Sequence, residues 1–148
     1  MAPIDRKWIG HELGASKFAI ERGRLRFFAR AIGETDPVYT DVQAARAVGY
    51  ADLPAPPTFL FGAELDSGVT FSMLALLGVG IDKILHGEQS FSYHGDVVAG
   101  DVVTVRSSIA DIYDKKGGQL QFVVKQSTVV NQRSETVARM RSVIVVRN

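Results

Sequence analysis

The 148-residue chain is 46% hydrophobic and 22% charged with a formal net charge of +1, the balance of one globular unit with one core and without the basic stripe that nucleic-acid binding requires. It has no cysteine, which excludes disulfides, thiolate zinc sites and a cysteine nucleophile. The first eight residues lack an apolar core of signal-peptide length, and the most apolar run, 68–81, is too short and too interrupted by Gly and Ser to span a bilayer, so a cytoplasmic protein without membrane contact is expected.

Residues 16–20 read as an edge or entry strand, approached through Gly10 and Gly14. Leu25, Phe28, Ala29 and Ile32 then fall at i, i+3, i+4 and i+7, which predicts a helix over 23–32 with one apolar face. Gly33 stops it, as a C-terminal glycine commonly does. Thr40 or Asp41 caps a second short helix, 42–48, that ends at Gly49. Pro54, Pro56 and Pro57 make a stiff, extended entry to a third helix that begins near Pro57 or Thr58 and runs through Phe59, Leu60, Phe61, Ala63 and Leu65; Pro is tolerated in a first turn and poorly further in. Apart from Glu64 and Asp66 this helix is apolar on most sides, so burial is expected. Ser67-Gly68 breaks it, and a further helical turn or two covers 72–77.

The second half alternates with period two. Strands are predicted over 84–93, 102–113, 120–131 and 136–146, with Lys115-Lys116-Gly117-Gly118 as a hairpin connection and Asn131-Gln132-Arg133-Ser134 as the next turn. Short connections imply antiparallel pairing. One long twisted antiparallel sheet wrapped around the apolar helix is the economical α+β arrangement. No repeat, low-complexity stretch or linker divides 1–148, so a single domain is expected.

Between the first two helices lies Gly33-Glu34-Thr35-Asp36-Pro37-Val38-Tyr39-Thr40-Asp41, with three carboxylates, a phenol and a proline in nine residues. Asp36 and Asp41 suit turns and helix caps; the same cluster also suits one wall of an active site. Taken with Ala55-Pro56-Pro57-Thr58-Phe59, Leu85-His86-Gly87-Glu88, Val98-Ala99-Gly100-Asp101 and Thr128-Val129-Val130-Asn131-Gln132, it resembles the N-terminal domain of the MaoC-like dehydratases. These are hot-dog folds related to R-specific enoyl-CoA hydratases and to 3-hydroxyacyl thioester dehydratases. The resemblance runs from about Gly23 to Arg147.

It implies a sheet wrapped around a central helix and side-by-side pairing with a second hot-dog unit, as homodimer or heterodimer. It also implies acyl thioesters of coenzyme A or acyl carrier protein as substrates, and reversible hydration of a 2-enoyl thioester. No cofactor and no metal are expected. Catalytic members carry Gly-Asp-x-Asn-Pro-(Ile/Leu)-His. Here the Asp position is Glu34, the Asn position is Asp36 and the His position is Tyr39, while Gly33 and Pro37 are kept. An imidazole exchanges protons near neutral pH, whereas an unperturbed phenol titrates near about 10.

Glu34 and Tyr39 are thus the candidate catalytic residues, with substituted contents. Asp36, Pro57, Thr58, His86 and Gly87 are candidate substrate-binding residues. His86 is a source for the missing imidazole, and free N–H groups at the start of the third helix suit a developing oxyanion. Arg24, Arg26 and Arg30 read as solvated charges or as partners for phosphate. His94 and His11 read as peripheral. The leading expectation is a MaoC-like hydratase or dehydratase subunit that shapes the acyl pocket while a partner supplies Asp and His. The alternatives are a non-catalytic acyl-CoA binding or regulatory module and a hot-dog thioesterase.

Overall fold

In the computed structural model, which describes residues 2–148, the elements follow the predicted order. They are β1 (Glu12–Ala19), α1 (Arg22–Ala31), α2 (Val42–Ala47), α3 (Phe59–Asp66), α4 (Val69–Leu77), β2 (Ile84–Tyr93), β3 (Val102–Lys115), β4 (Leu120–Val130) and β5 (Thr136–Arg147). The strands form one sheet in the order β1-β3-β4-β5-β2, every pairing antiparallel. β2 therefore lies at an edge, paired with the last strand of the chain and not with its neighbour in sequence.

Several boundaries differ from expectation for identifiable reasons. β1 starts four residues before 16, because Gly14 does not interrupt the strand but sits at φ 95° where the register with β3 shifts. Such a bulge takes a left-handed glycine readily. α1 stops one residue short of Ile32, which caps it and is 51% exposed, so the buried face reduces to Leu25 and Ala29 with Phe28 half-buried. Of the two cap candidates for α2, Asp41 is the one used: its carboxylate accepts from Gln43 N–H at 2.9 Å. α4 is a full nine-residue helix beginning at Val69, bounded by Gly68 and Gly78, both at positive φ. Among the described residues no single helix is long and apolar enough to cross a membrane, and α3 and α4 are bent by 56° at their junction.

The inner face of the sheet holds two apolar clusters. Phe59, Leu60 and Ala63 of α3 pack with Phe18, Val103, Val105, Val129, Ala138 and Met140, so the sheet embraces α3 from β1 to β5. Met73 and Leu74 of α4 pack with Ile109, Ile112, Val123, Ile144 and Val146. Between the clusters runs a polar seam. On β4 the inward face is the one carrying Gln121, Val123, Lys125, Ser127 and Val129, all buried, as is Asn131 just after the strand, and cross-strand partners continue the seam as Ser107 opposite Ser127, and Ser142 opposite both Lys125 and Gln89.

Glu64 plugs into this seam. Predicted as one of two polar exceptions on α3, it is 1% exposed, whereas Asp66 is exposed. Its position, one turn after buried Leu60, aims it at the sheet. Its Oε1 accepts from the Ser127 hydroxyl and lies 3.6 Å from Lys125 Nζ. Lys125, also 1% exposed, donates to Thr70 Oγ1 at 2.7 Å. Burial pulls the Lys125 ammonium below its ordinary range, and the nearby Glu64 carboxylate offsets part of that shift.

A second ion pair ties α1 to the proline segment: Arg22 forks onto Asp52 with N···O distances of 3.0 and 2.6 Å. Chiefly through the Arg22 hydrogen bond, the Asp52 carboxyl is lowered from 3.8 to about 2. Because the folded value is the lower one, the stabilisation is present above about pH 4 and is lost as pH falls towards 2. Acid titration of stability should show this loss in the native protein and its absence in Asp52→Asn, followed by circular dichroism between those pH values.

Candidate active site

The loop between α1 and α2 is built from its own side chains. Gly33, at φ 74°, turns the chain out of α1. Asp36 accepts from Val38 N–H at 3.0 Å and so caps the short 3-10 turn Pro37–Tyr39. Glu34 folds back on the loop: its Oε1 accepts from Thr35 N–H at 3.0 Å and from Asp36 N–H at 3.1 Å. Arg26 donates from α1 to Thr40 O at 2.9 Å and pins the far end.

This places Tyr39 on a cavity of about 190 Å³ with Tyr50, Pro54, Ala55, Pro57, Tyr93, Gly95 and Asp96. The proline segment and the chain after β2 are held together by Ala55 N–H to Val97 O at 2.8 Å and Ala99 N–H to Leu53 O at 2.9 Å. Those bonds bring the end of β2 to the start of α3. Tyr39 is raised above its ordinary 10.0, first by burial and then by the charges of Glu34, by Tyr50 and by Asp36. Its hydroxyl therefore stays protonated at neutral pH and is a donor there, not a base.

The start of α3 is unusual. Thr58 occupies the cap position at φ 76° and makes no side-chain cap bond. Its N–H, expected to be open to a ligand oxygen, donates instead to the Tyr93 hydroxyl at 2.9 Å. Tyr93 is stacked on Phe91, with ring centroids 5.8 Å apart and planes 3° apart, and is 52% exposed. A separate groove of about 340 Å³, with no lining residue in common with the cavity, runs between α1 and α3, lined by Gly23, Arg24, Phe27, Phe28, Phe59 and Gly62. A Cβ at Gly62 would meet nothing within 4 Å, so the groove owes part of its width to that glycine.

Glu34, Asp36, Tyr39 and Pro57 are thus gathered around one end of α3. His86 and Gly87 are not. They lie at the opposite end of β2 from Tyr93, roughly 20 Å away at strand spacing. There His86 packs on Phe61 with ring centroids 5.1 Å apart, and its Nε2 donates to Glu88 O at 3.0 Å. At Gly87 the close neighbour is β5: a Cβ would meet Val145 Cγ2 at 2.8 Å and Val143 O at 3.2 Å. His94 Nε2 faces Ser92 Oγ and Arg139, and His11 packs edge-on to Trp8. Arg24 is paired with Asp66 and lies over Phe18. Tyr50, Tyr93 and Asp96 are polar cavity residues that sequence reasoning passed over; a tyrosine just after α2 and another closing the strand before His94-Gly95 were the available signal.

The chain matches the family described as the FAS1-like, dehydratase domain region over residues 7–140. It belongs to that family. A UPF0336 protein of Parafrankia sp. is 38% identical to this dehydratase-region chain over 138 residues, covering 92% of it and 89% of the relative. A chain of the C-terminally truncated HadBC (3R-hydroxyacyl-ACP dehydratase) complex of Mycobacterium tuberculosis is 27% identical. It superposes with a TM-score of 0.79 over 97% of this chain and 99% of its own. A MaoC-like dehydratase, at 24% identity, superposes with a TM-score of 0.85 over 95% of this chain and 42% of its own. The FAS1-like dehydratase-region chain therefore has the hot-dog fold, and the MaoC-like resemblance read from its motifs holds.

Proposed function

We propose that this chain is the substrate-shaping subunit of a two-chain hot-dog hydratase or dehydratase that interconverts 2-enoyl and 3-hydroxyacyl thioesters of coenzyme A or an acyl carrier protein. The carrying observation is the loop at the start of α3. By the motif resemblance its Glu34 and Tyr39 take the positions of the catalytic Asp and His of MaoC-like enzymes, yet Glu34 Oε1 accepts from Thr35 and Asp36 N–H and Tyr39 is held as a protonated phenol. The loop thus offers a carboxylate tied to its own backbone through one oxygen and a phenol that stays protonated, and no imidazole. An Asp and His from a partner chain complete the chemistry, as the general base and acid of the reaction. The apolar groove along Phe27, Phe28, Phe59 and Gly62 takes the acyl chain. Similarity to a chain of a two-protein dehydratase complex supports a second hot-dog subunit over a self-sufficient enzyme, and the free edge of β2 is where another sheet can continue.

The test is reconstitution. Hydration of a 2-enoyl-CoA, followed as loss of enoyl absorbance, should be at background for this chain alone and appear on mixing with a hot-dog chain that carries the intact Asp/His loop. Robust turnover by this chain alone, lost on Glu34→Gln or His86→Ala, would overturn the partner-dependent reading. Saturable acyl-CoA binding without turnover in any mixture would instead favour a non-catalytic acyl-thioester module, which the same engaged loop also supports.

A further inference from the structure

We infer that the Tyr93 hydroxyl is the group that grips the substrate carbonyl in this chain. The inference rests on the acyl-thioester reading above and names a contact within that site. The first N–H groups of a helix have no partner within the helix and suit a carbonyl oxygen, but here the Thr58 N–H is already taken, at 2.9 Å, by Tyr93 Oη. A phenol oxygen accepts through its lone pairs and keeps its own hydrogen to donate. Among the described residues the Tyr93 hydroxyl has no acceptor, and its ring lines the cavity that also holds Tyr39, Tyr50 and Asp96.

The geometry passes the donor role outward by one side chain. Accepting from an amide polarises the phenol O–H and strengthens it as a donor, and stacking on Phe91 fixes the ring. Tyr93 comes from β2, not from the helix, so the donor stands further into the cavity than the helix terminus itself. The three phenols around the cavity are donors and carry no positive charge. They suit a neutral carbonyl and offer nothing to a free carboxylate that an ammonium or guanidinium would offer. The ligand class is therefore a thioester or ester carbonyl, not an acid.

Carbonyl vibrational spectroscopy reads this contact directly. trans-2-Octenoyl-CoA labelled with carbon-13 at the carbonyl is bound to the purified chain, and its carbonyl band is followed by isotope-edited infrared difference. The band should move to lower frequency on binding to the native protein. In Tyr93→Phe the shift should be lost and affinity should fall about tenfold, the loss of one hydrogen bond. With 3-fluorotyrosine at position 93, a stronger donor that stays mostly protonated at neutral pH and still accepts from Thr58, the shift should grow. Tyr39→Phe and Tyr50→Phe should keep it. A carbonyl band that the fluorinated tyrosine at position 93 leaves where the native protein puts it would mean that the phenol does not contact the carbonyl, and would overturn the inference while leaving the acyl-thioester reading intact. Absence of binding to the native chain would overturn both.

Discussion

Alanine at Glu64 or at Lys125 is expected to cost about 3–5 kcal/mol of folding stability, the cost of leaving one buried charge without its partner. Both side chains are 1% exposed, and each is the other's only counter-charge within salt-bridge reach among the described residues. Removing Lys125 leaves Glu64 with the Ser127 hydroxyl alone, and its Oε2 already has no partner. Removing Glu64 leaves the ammonium on Thr70. Domain stabilities are about 5–15 kcal/mol, so either single variant approaches the unfolding threshold at ambient temperature.

The paired replacement Glu64→Leu with Lys125→Met should recover most of the loss, because desolvating two charges nearly cancels their attraction. Urea denaturation of the two single variants and the pair, treated as a double-mutant cycle, measures the coupling. A single-variant cost below about 1 kcal/mol, the range of an exposed pair, would show that the pair is solvated and not sealed. The alkaline side gives a second readout. The folded-state pKa of Lys125 lies below the ordinary 10.5, so between the two values the unfolded chain binds more protons and stability rises with pH. Lys125→Met should lack that rise.

In the reconstituted complex, Glu34→Gln and Tyr39→Phe should each change kcat by less than about tenfold, whereas removing the partner's catalytic His should lower it by about 10²–10⁴-fold, the usual worth of a general acid–base group. Glutamine keeps an oxygen able to accept from Thr35 and Asp36 N–H, so the loop stays formed. Phenylalanine keeps the ring in the cavity wall. Steady-state kinetics on enoyl-CoA at several pH values separates the roles: a proton-transfer function for Glu34 would remove a limb of the pH profile in Glu34→Gln. A loss of about 10²-fold or more with either variant would place the acid–base chemistry in this chain.

The strands, the helices and their order were legible because each carries a clean period and a glycine or proline boundary. The period-two alternation of β4 divides it into two faces but does not say which one meets the helices. Composition points the wrong way there: the inward face holds Gln121, Lys125, Ser127 and Asn131, and distant partners make that burial tolerable, Glu64 on α3 for Lys125 and Ser127 and Ile4 N–H for Gln121. Polar residues facing polar residues across 61 positions of sequence, Glu64 to Lys125, leave no local trace. The candidate site was legible in part. Motif order located Glu34, Asp36, Tyr39 and Pro57 around one end of α3, since a loop and a helix start are local features. The strand pairing decided the rest. Because β2 runs antiparallel to β5 at the sheet edge, it delivers Tyr93 to the cavity and carries His86 to the other end, a matter of direction that spacing alone does not reveal.

The bond from Thr58 to Tyr93 also dates the assembly of the site. β3, β4 and β5 are joined by short connections and can zip together as neighbours, whereas β2 must reach past β3 and β4 to pair with β5. Closing that larger loop costs more chain entropy and is slower. The cavity gains Tyr93, Gly95 and Asp96 only when β2 arrives, so the pocket is expected to form after the meander and to be among the first regions to open. Amide exchange at Thr58, whose hydrogen is covered only while Tyr93 is in place, should therefore outpace exchange in the centre of β4 and time the opening of the pocket itself.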